Sequence, residues 1–231
     1  MLELVIFDCD GVLVDSEAIS NEVLARMLTR AGLPTTLAQA RRAYQGLLLD
    51  EVLASVEAEL GRSLPAGWLA EYEHERAGAF RRELQPIAGA AETVQRLTAA
   101  GVKVCVASQG KLSKTRLSLE LTGLRWLFAE EQLFSAHGVP RGKPHPDLFL
   151  HAAGAFGVAP ADCAVIEDTP SGVSAAVAAG MRAIGYAADS DAGALRAAGA
   201  ELIDSLSELP ALLGLQAPAR ASASDGCGSD R

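Results

Sequence analysis

No stretch of this chain stays apolar for anything near the roughly 18 residues that would span a bilayer, which excludes a membrane-crossing helix. The N-terminus has no basic segment ahead of an apolar one and no small-residue cleavage site, so a soluble, cytoplasmic protein is expected. No dense block of Lys and Arg relieves a net charge of −9, and nucleic acid is excluded as a partner. The four cysteines, Cys9, Cys105, Cys163 and Cys227, show no C-x-x-C spacing, which argues against a disulfide framework or a zinc site. Three of them lie in or beside predicted strands, where cysteine serves as a small buried hydrophobe.

What is present is apolar mass. With 231 residues, 49% of them hydrophobic, the chain can bury a full core and a smaller second one. Short apolar runs predict strands at Leu4–Phe7, Val102–Ala107, Gln132–Ser135, Ala164–Ile166 and Arg182–Tyr186, with a weak last one at Glu201–Ile203. Helical stretches, among them Gly89–Ala99, Pro146–Phe156 and Gly172–Ala179, separate them. Apolar runs without clean alternation, spaced by helices, predict a parallel sheet covered on both faces, a doubly wound (Rossmann-like) α/β core. Residues 16–83 differ. They offer no convincing strand, and helical periodicity recurs in Ile19–Arg30, Asp50–Leu60 and Trp68–Arg82. An inserted all-helical domain over 16–83 leaves a discontinuous core of 1–15 and 84–214, followed by a tail at 215–231 that is short of large apolar residues and expected to be disordered.

In a doubly wound sheet, ligands bind beyond the carboxyl ends of the strands. There stand Asp8 and Asp10 after the first strand and Ser108 after the second, with Gln109 beside it as a further substrate contact. Glu167 and Asp168 follow the fourth strand, and Lys143 precedes a helix in "RGKPHPDLF". Each is weak evidence alone; together, in this order, they describe a phosphoryl-transfer site. A carboxylate is ionised at neutral pH, so Asp8 can attack phosphorus without a base to activate it. Repulsion between that carboxylate and a phosphate calls for positive charge. An all-oxygen set of Asp8, the Asp10 backbone carbonyl and Asp168 suits Mg²⁺. Lys143 and the Ser108 hydroxyl would stabilise the phosphoryl oxygens, and Asp10 would protonate the leaving oxygen and later take a proton from water.

The motifs "DCDGVLVDSE", "VASQG", "GKPHPD" and "IEDTPSGVSAAVAAG" resemble those of the haloacid dehalogenase superfamily over about 214 residues. Within it the chain is similar to the β-phosphoglucomutase-like group of sugar-phosphate phosphatases and mutases, and in "IFDCDGVLVDSE" and "FLHAAGAFGV" to bacterial 6-phosphogluconate phosphatases. The resemblance implies that the helical insert is a cap and that the first strand is central. It makes Asp8 the nucleophile, Asp10 the acid/base, Ser108 and Lys143 phosphate-handling residues, and Asp168 a metal ligand, with Glu167 a further ligand or a supporting acid. It implies a Mg²⁺-dependent phosphomonoester hydrolase for small phosphorylated metabolites, sugar or sugar-acid phosphates such as 6-phosphogluconate, acting through an aspartyl-phosphate. The expected assembly is a monomer or weak homodimer. The alternative is a β-phosphoglucomutase-type reaction. A histidine that helps govern acid/base chemistry in those mutases is matched here by Ser20, and no arginine follows Gly46.

Blander readings stand beside these. Asp15 reads as a cap for the following helix. Cys9, one position off the acids, points to the other side of the strand. His74, Arg76 and Arg81 share a helical stretch, where a surface charge cluster competes with Arg76 reaching the substrate. Trp68 and Trp126 read as packing residues.

Overall fold

The computed structural model describes residues 1–44 and 47–215. Six strands form one sheet: β1 (Leu4–Phe7), β2 (Lys103–Ser108), β3 (Leu133–Ser135), β4 (Cys163–Glu167), β5 (Arg182–Tyr186) and β6 (Glu201–Ile203). Their order is β3-β2-β1-β4-β5-β6, and every ladder is parallel. β1 is therefore central, paired with β2 through Leu4–Lys103 to Phe7–Val106 and with β4 through Leu4–Cys163 to Phe7–Ile166. Its alternate side chains enter different cores: Val5 and Phe7 join one apolar layer, Leu4 and Ile6 the other. Burial on both faces is why the run is continuously apolar rather than alternating.

Helices α1 (Glu17–Arg30), α2 (Leu37–Tyr44), α3 (Leu49–Leu60) and α4 (Trp68–Glu83) lie between β1 and the rest of the core. They bury a core of their own, including Val23, Leu24, Met27, Leu28, Val56, Trp68 and Tyr72. Each large apolar side chain so buried contributes about 1.5–3 kcal/mol, enough to hold the group together away from the sheet. Trp68 stacks on Tyr72 with centroids 5.8 Å apart, as a packing residue would. The chain enters and leaves this group side by side. The Asp15 N–H donates to the Gln85 carbonyl at 3.0 Å, the Ile87 N–H donates to the Leu13 carbonyl at 2.9 Å, and Val14 bridges Pro86.

The remaining helices are α5 (Ala90–Ala99), α6 (Leu112–Leu121), α7 (Asp147–Ala155), α8 (Pro170–Ala178), α9 (Ala192–Ala198) and α10 (Leu209–Leu212). Expected strands and described strands agree to within a residue or two at each end. The helices α2, α6, α9 and α10 were not anticipated. Two blander readings are corrected. Asp15 is exposed and the residue capping α1 is Ser16, without a side-chain cap bond. Trp126 is 68% exposed rather than packed. Residues 216–231, the expected tail, and Gly46 lie outside the described residues. No helix among the described residues is long and apolar enough to cross a membrane.

Candidate active site

The parallel register brings the ends of β1, β2 and β4 to one edge. The Asp8 N–H still donates to the Ile166 carbonyl at 2.9 Å, so the Asp8 carboxylate is fixed on the last rung of the ladder. Beyond Asp10 the chain must turn, and Gly11 takes φ +77°, a left-handed conformation that glycine adopts without steric cost. The turn is also crowded: a Cβ at Gly11 would lie 2.2 Å from Asp168 Oδ2. Gly172 has a similar role behind Glu167, whose carboxylate would meet a Cβ there at about 2 Å. These two glycines let backbone approach carboxylates that any side chain would displace.

Lys143 is the hub of the edge. Its Nζ donates to Asp8 Oδ1 at 2.5 Å, to Glu167 Oε1 at 2.5 Å and to the Ala107 carbonyl at 3.1 Å, and it lies 5.1 Å from the Phe149 ring centroid. Burial pushes the Asp8 carboxyl up to about 7; Lys143 opposes this, while Glu167 and Asp10 add to it. Burial also works against the Lys143 ammonium, but Asp8 and Glu167 outweigh it and hold the lysine charged above its ordinary value. Glu167 has its other oxygen on the Thr169 hydroxyl at 2.8 Å, so both of its oxygens are engaged. Gln109 is engaged as well: its Oε1 accepts from the Lys143 N–H at 3.0 Å and its Nε2 donates to the Lys143 carbonyl at 3.4 Å. Gln109, expected as a substrate contact, lines the same cavity and also braces the lysine loop.

Asp10 has different company. Its Oδ1 accepts from Ser16 Oγ at 2.5 Å and from Lys114 Nζ at 2.5 Å, and its Oδ2 accepts from Ser108 Oγ at 3.3 Å. Burial alone would raise its carboxyl, but Lys114, Ser16 and Arg76 outweigh burial and hold it below the ordinary carboxylate range. Ser108 is fully buried and also accepts from the Gly110 N–H at 3.1 Å. Lys114 and Ser16 are the site residues that sequence reasoning missed. Lys114 could have been found by asking which helix follows β2, since the first turn of that helix faces the same edge.

Asp168 is 5% exposed and has no side-chain hydrogen bond among the described residues; burial, then Glu167, Asp8 and Glu17, push its carboxyl well up. A buried carboxylate among other acids is costly unless a cation joins it. Among the described residues no three acidic, His or Cys side chains close on a common point, because Lys143 stands between Asp8 and Glu167 while the Asp10 carboxylate is turned to Ser16 and Lys114. The side-chain oxygens free to hold an ion are thus Asp8 Oδ2 and those of Asp168, and with the Asp10 backbone carbonyl they would make the all-oxygen set expected from the sequence. That set fits Mg²⁺, which keeps several waters and is held by one or two carboxylates.

These groups line a cavity of about 140 Å³ between the sheet edge and the four-helix insert. The insert contributes Glu17, Ser20, Asn21, Glu73 and Arg76. His74 and Arg81, on the same helix as Arg76, face solvent.

A sequence model of the haloacid dehalogenase-like hydrolases matches residues 2–180. The chain belongs to the haloacid dehalogenase-like hydrolases. Among curated proteins of known name it is 34% identical to the 6-phosphogluconate phosphatase of Escherichia coli K12 over 190 residues, 81% of this chain and 84% of that one. Among solved structures it is similar to a haloacid dehalogenase family hydrolase from Deinococcus radiodurans R1, crystallised with bound phosphate and sodium. That match has 36% identity and a TM-score of 0.76, covering 94% of this chain and 99% of the other. A putative β-phosphoglucomutase from Thermotoga maritima is 27% identical with a TM-score of 0.74, covering 92% and 99%. The sheet order, with β1 central and the acids at its end, is what this family membership implied.

Proposed function

We propose that this haloacid dehalogenase-like hydrolase is a Mg²⁺-dependent phosphomonoesterase acting on sugar or sugar-acid phosphates, 6-phosphogluconate among them. The observation that carries the reading is the division of labour between the two aspartates. Asp8 lies against a buried lysine and beside the unpartnered Asp168; Asp10, two residues on, sits apart with hydrogen-bonding neighbours of its own. That division supports a reading in which one carboxylate bonds to phosphorus and the other moves protons. The likeness to a 6-phosphogluconate phosphatase supports the substrate class.

In the first half of the reaction, an Asp8 oxygen forms a bond to phosphorus as the ester P–O bond breaks. The departing oxygen takes a proton from Asp10, which Lys114 and Ser16 keep ionised before substrate arrives and which receives that proton from the incoming monoanionic ester. In the second half, water attacks the same phosphorus, Asp10 takes the water's proton, and the Asp8–phosphorus bond breaks to release phosphate. Lys143 neutralises charge on the phosphoryl oxygens, Glu167 and Gln109 hold Lys143 in place, and the Ser108 hydroxyl turns from Asp10 to a phosphoryl oxygen. A Mg²⁺ ion held by Asp8, Asp168 and the Asp10 carbonyl would supply the remaining positive charge that lets an anionic nucleophile approach an anionic ester.

A mutase reading has the Thermotoga likeness in its favour. Against it stands Ser20, whose hydroxyl has no hydrogen-bond partner among the described residues and cannot shuttle a proton at neutral pH as an imidazole can. The test is phosphate release with Mg²⁺ from 6-phosphogluconate, sorbitol 6-phosphate and β-glucose 1-phosphate, the last with and without glucose 1,6-bisphosphate. Phosphate release that stops with chelator and in Asp8→Asn is expected. Glucose 6-phosphate formed faster than phosphate would make the protein a mutase, and no phosphate from any ester would end the reading.

A further inference from the structure

Lys143 serves the transferred phosphoryl group, yet the cavity is lined by three more cationic side chains, Arg76, Lys111 and Lys114. Lys111 is neutralised across the cleft by Glu73, 2.6 Å away. Arg76 and Lys114 remain. Lys114 rises from the first turn of α6, with its side chain only 15% exposed and its Nζ 5.9 Å from the Phe80 ring centroid on α4. Arg76 comes from α4 itself, lies over the Tyr72 ring at 4.9 Å and pairs with no carboxylate among the described residues. It is near enough to act electrostatically on both Asp10 and Lys114. Two cations from facing helices thus share one anion, Asp10.

Behind them the cleft continues. A second cavity of about 160 Å³ is lined by Ala77, Phe80, Ser113 and Leu117, and shares Glu73, Arg76, Lys111 and Lys114 with the first. The shared side chains therefore form a partition between a chamber that holds the chemistry and one that does not. A partition with an excess positive charge, half-buried and next to the acid/base, is suited to an anion arriving from the chemistry side.

We propose that Arg76 and Lys114 together form an anion site for the leaving group: they receive a carboxylate or a second phosphate carried by the alcohol that departs from phosphorus. The proposal rests on the phosphomonoesterase reading and narrows it to esters with a second charge. Arg76 supplies a planar fork that can take a carboxylate or phosphate through two hydrogen bonds, and Lys114 a point charge that also touches Asp10. Lys114 thereby ties recognition of the leaving group to the residue that must protonate it.

The experiment measures kcat and KM of the wild type, Arg76→Met, Lys114→Met and Lys114→Arg on three esters: 6-phosphogluconate, glucose 1,6-bisphosphate and sorbitol 6-phosphate. Each Met variant should raise KM for a charged ester about tenfold to a hundredfold relative to the neutral one, as loss of a charge-assisted hydrogen bond does. Whichever charged ester suffers more identifies the anion as carboxylate or phosphate. Because Lys114 also holds Asp10, Lys114→Met should lower kcat on all three alike, and Lys114→Arg should restore the KM discrimination. Equal KM changes on charged and neutral esters overturn the proposal. A second arm is independent of turnover: calorimetry with gluconate, which has no phosphoryl group, and with sorbitol. Gluconate should bind the wild type, and bind neither Met variant. Gluconate binding no better than sorbitol, or equally to wild type and variants, overturns the site even if the wild type hydrolyses none of the esters, a result that would by itself refute only the phosphatase reading.

Discussion

Replacing Lys143 with Met keeps a stem of similar length over the Phe149 ring and deletes the ammonium. What it leaves behind can be read from the contacts. Asp8 Oδ1 and Glu167 Oε1 each lose a donor 2.5 Å away, and the Ala107 carbonyl loses one at 3.1 Å. Asp8 and Glu167 are 5% and 1% exposed, so water does not easily take the donor's place. Breaking a buried pair by removing one partner costs about 3–5 kcal/mol, at least about a fifth of what a typical domain of about 5–15 kcal/mol possesses. At roughly 2–4 °C per kcal/mol for a chain of this size, Tm should fall by about 10 °C.

The deficit should depend on pH. The folded Asp8 carboxyl, pushed up to about 7 chiefly by burial, lies above its ordinary value of 3.8, so the folded state holds that proton more tightly than the unfolded one. Its contribution to stability is therefore most favourable at low pH and falls as pH rises from about 4 through 7. Without Lys143 the carboxyl rises further, so the gap between variant and wild type widens toward pH 8 and narrows near pH 5. Urea denaturation of both proteins at those two pH values, without added divalent ion, measures it. A deficit below about 1 kcal/mol at pH 8, an ordinary surface value, or the same deficit at both pH values, would refute the argument that the lysine holds two buried charges. Turnover should fall by about 10²–10³, as when a single preorganised electrostatic donor is lost.

Gly11→Ala should cost about 1–2 kcal/mol from the left-handed backbone alone. It should also weaken Mg²⁺ binding about tenfold or more by displacing Asp168, which calorimetry reads directly; unchanged metal affinity would free Asp168 from that role. Trp126→Ser should change stability by no more than about 0.5 kcal/mol, since an exposed ring contributes little, and a thermal melt showing a larger loss would return Trp126 to the packed residues.

The strands were readable because burial on both faces leaves one kind of residue in them, as Leu4–Phe7 and Cys163–Glu167 illustrate. Asp8, Asp10, Ser108, Glu167 and Asp168 stand out in the sequence because they end apolar runs, and Lys143 because it stands just ahead of a helix, and the fold brings all of them to one edge. Lys114 was not readable for the reason α6 was not. The helix turns Thr115 and Ser118 inward with Leu119, so its buried face is largely polar and its apolar period is hidden. Helix α2 failed differently, burying only Ala40 and Tyr44 while Leu37 is 41% exposed. Roles within the site needed coordinates. Nothing in "IEDT" tells that Glu167 holds a lysine while Asp168 has no side-chain hydrogen bond among the described residues, or in "ASQGK" that Gln109 clasps a backbone 34 positions away.

The paired linkers have a consequence for how such a protein can vary. Residues 15 and 85 are hydrogen-bonded neighbours, so the segment between them leaves and rejoins the sheet at one place. To the remaining chain that segment is topologically a single turn: its length and composition could change without moving a strand, because the registers of β1, β2 and β4 do not pass through it. A fold tied in this way can exchange its helical segment while the groups at the sheet edge stay where they are.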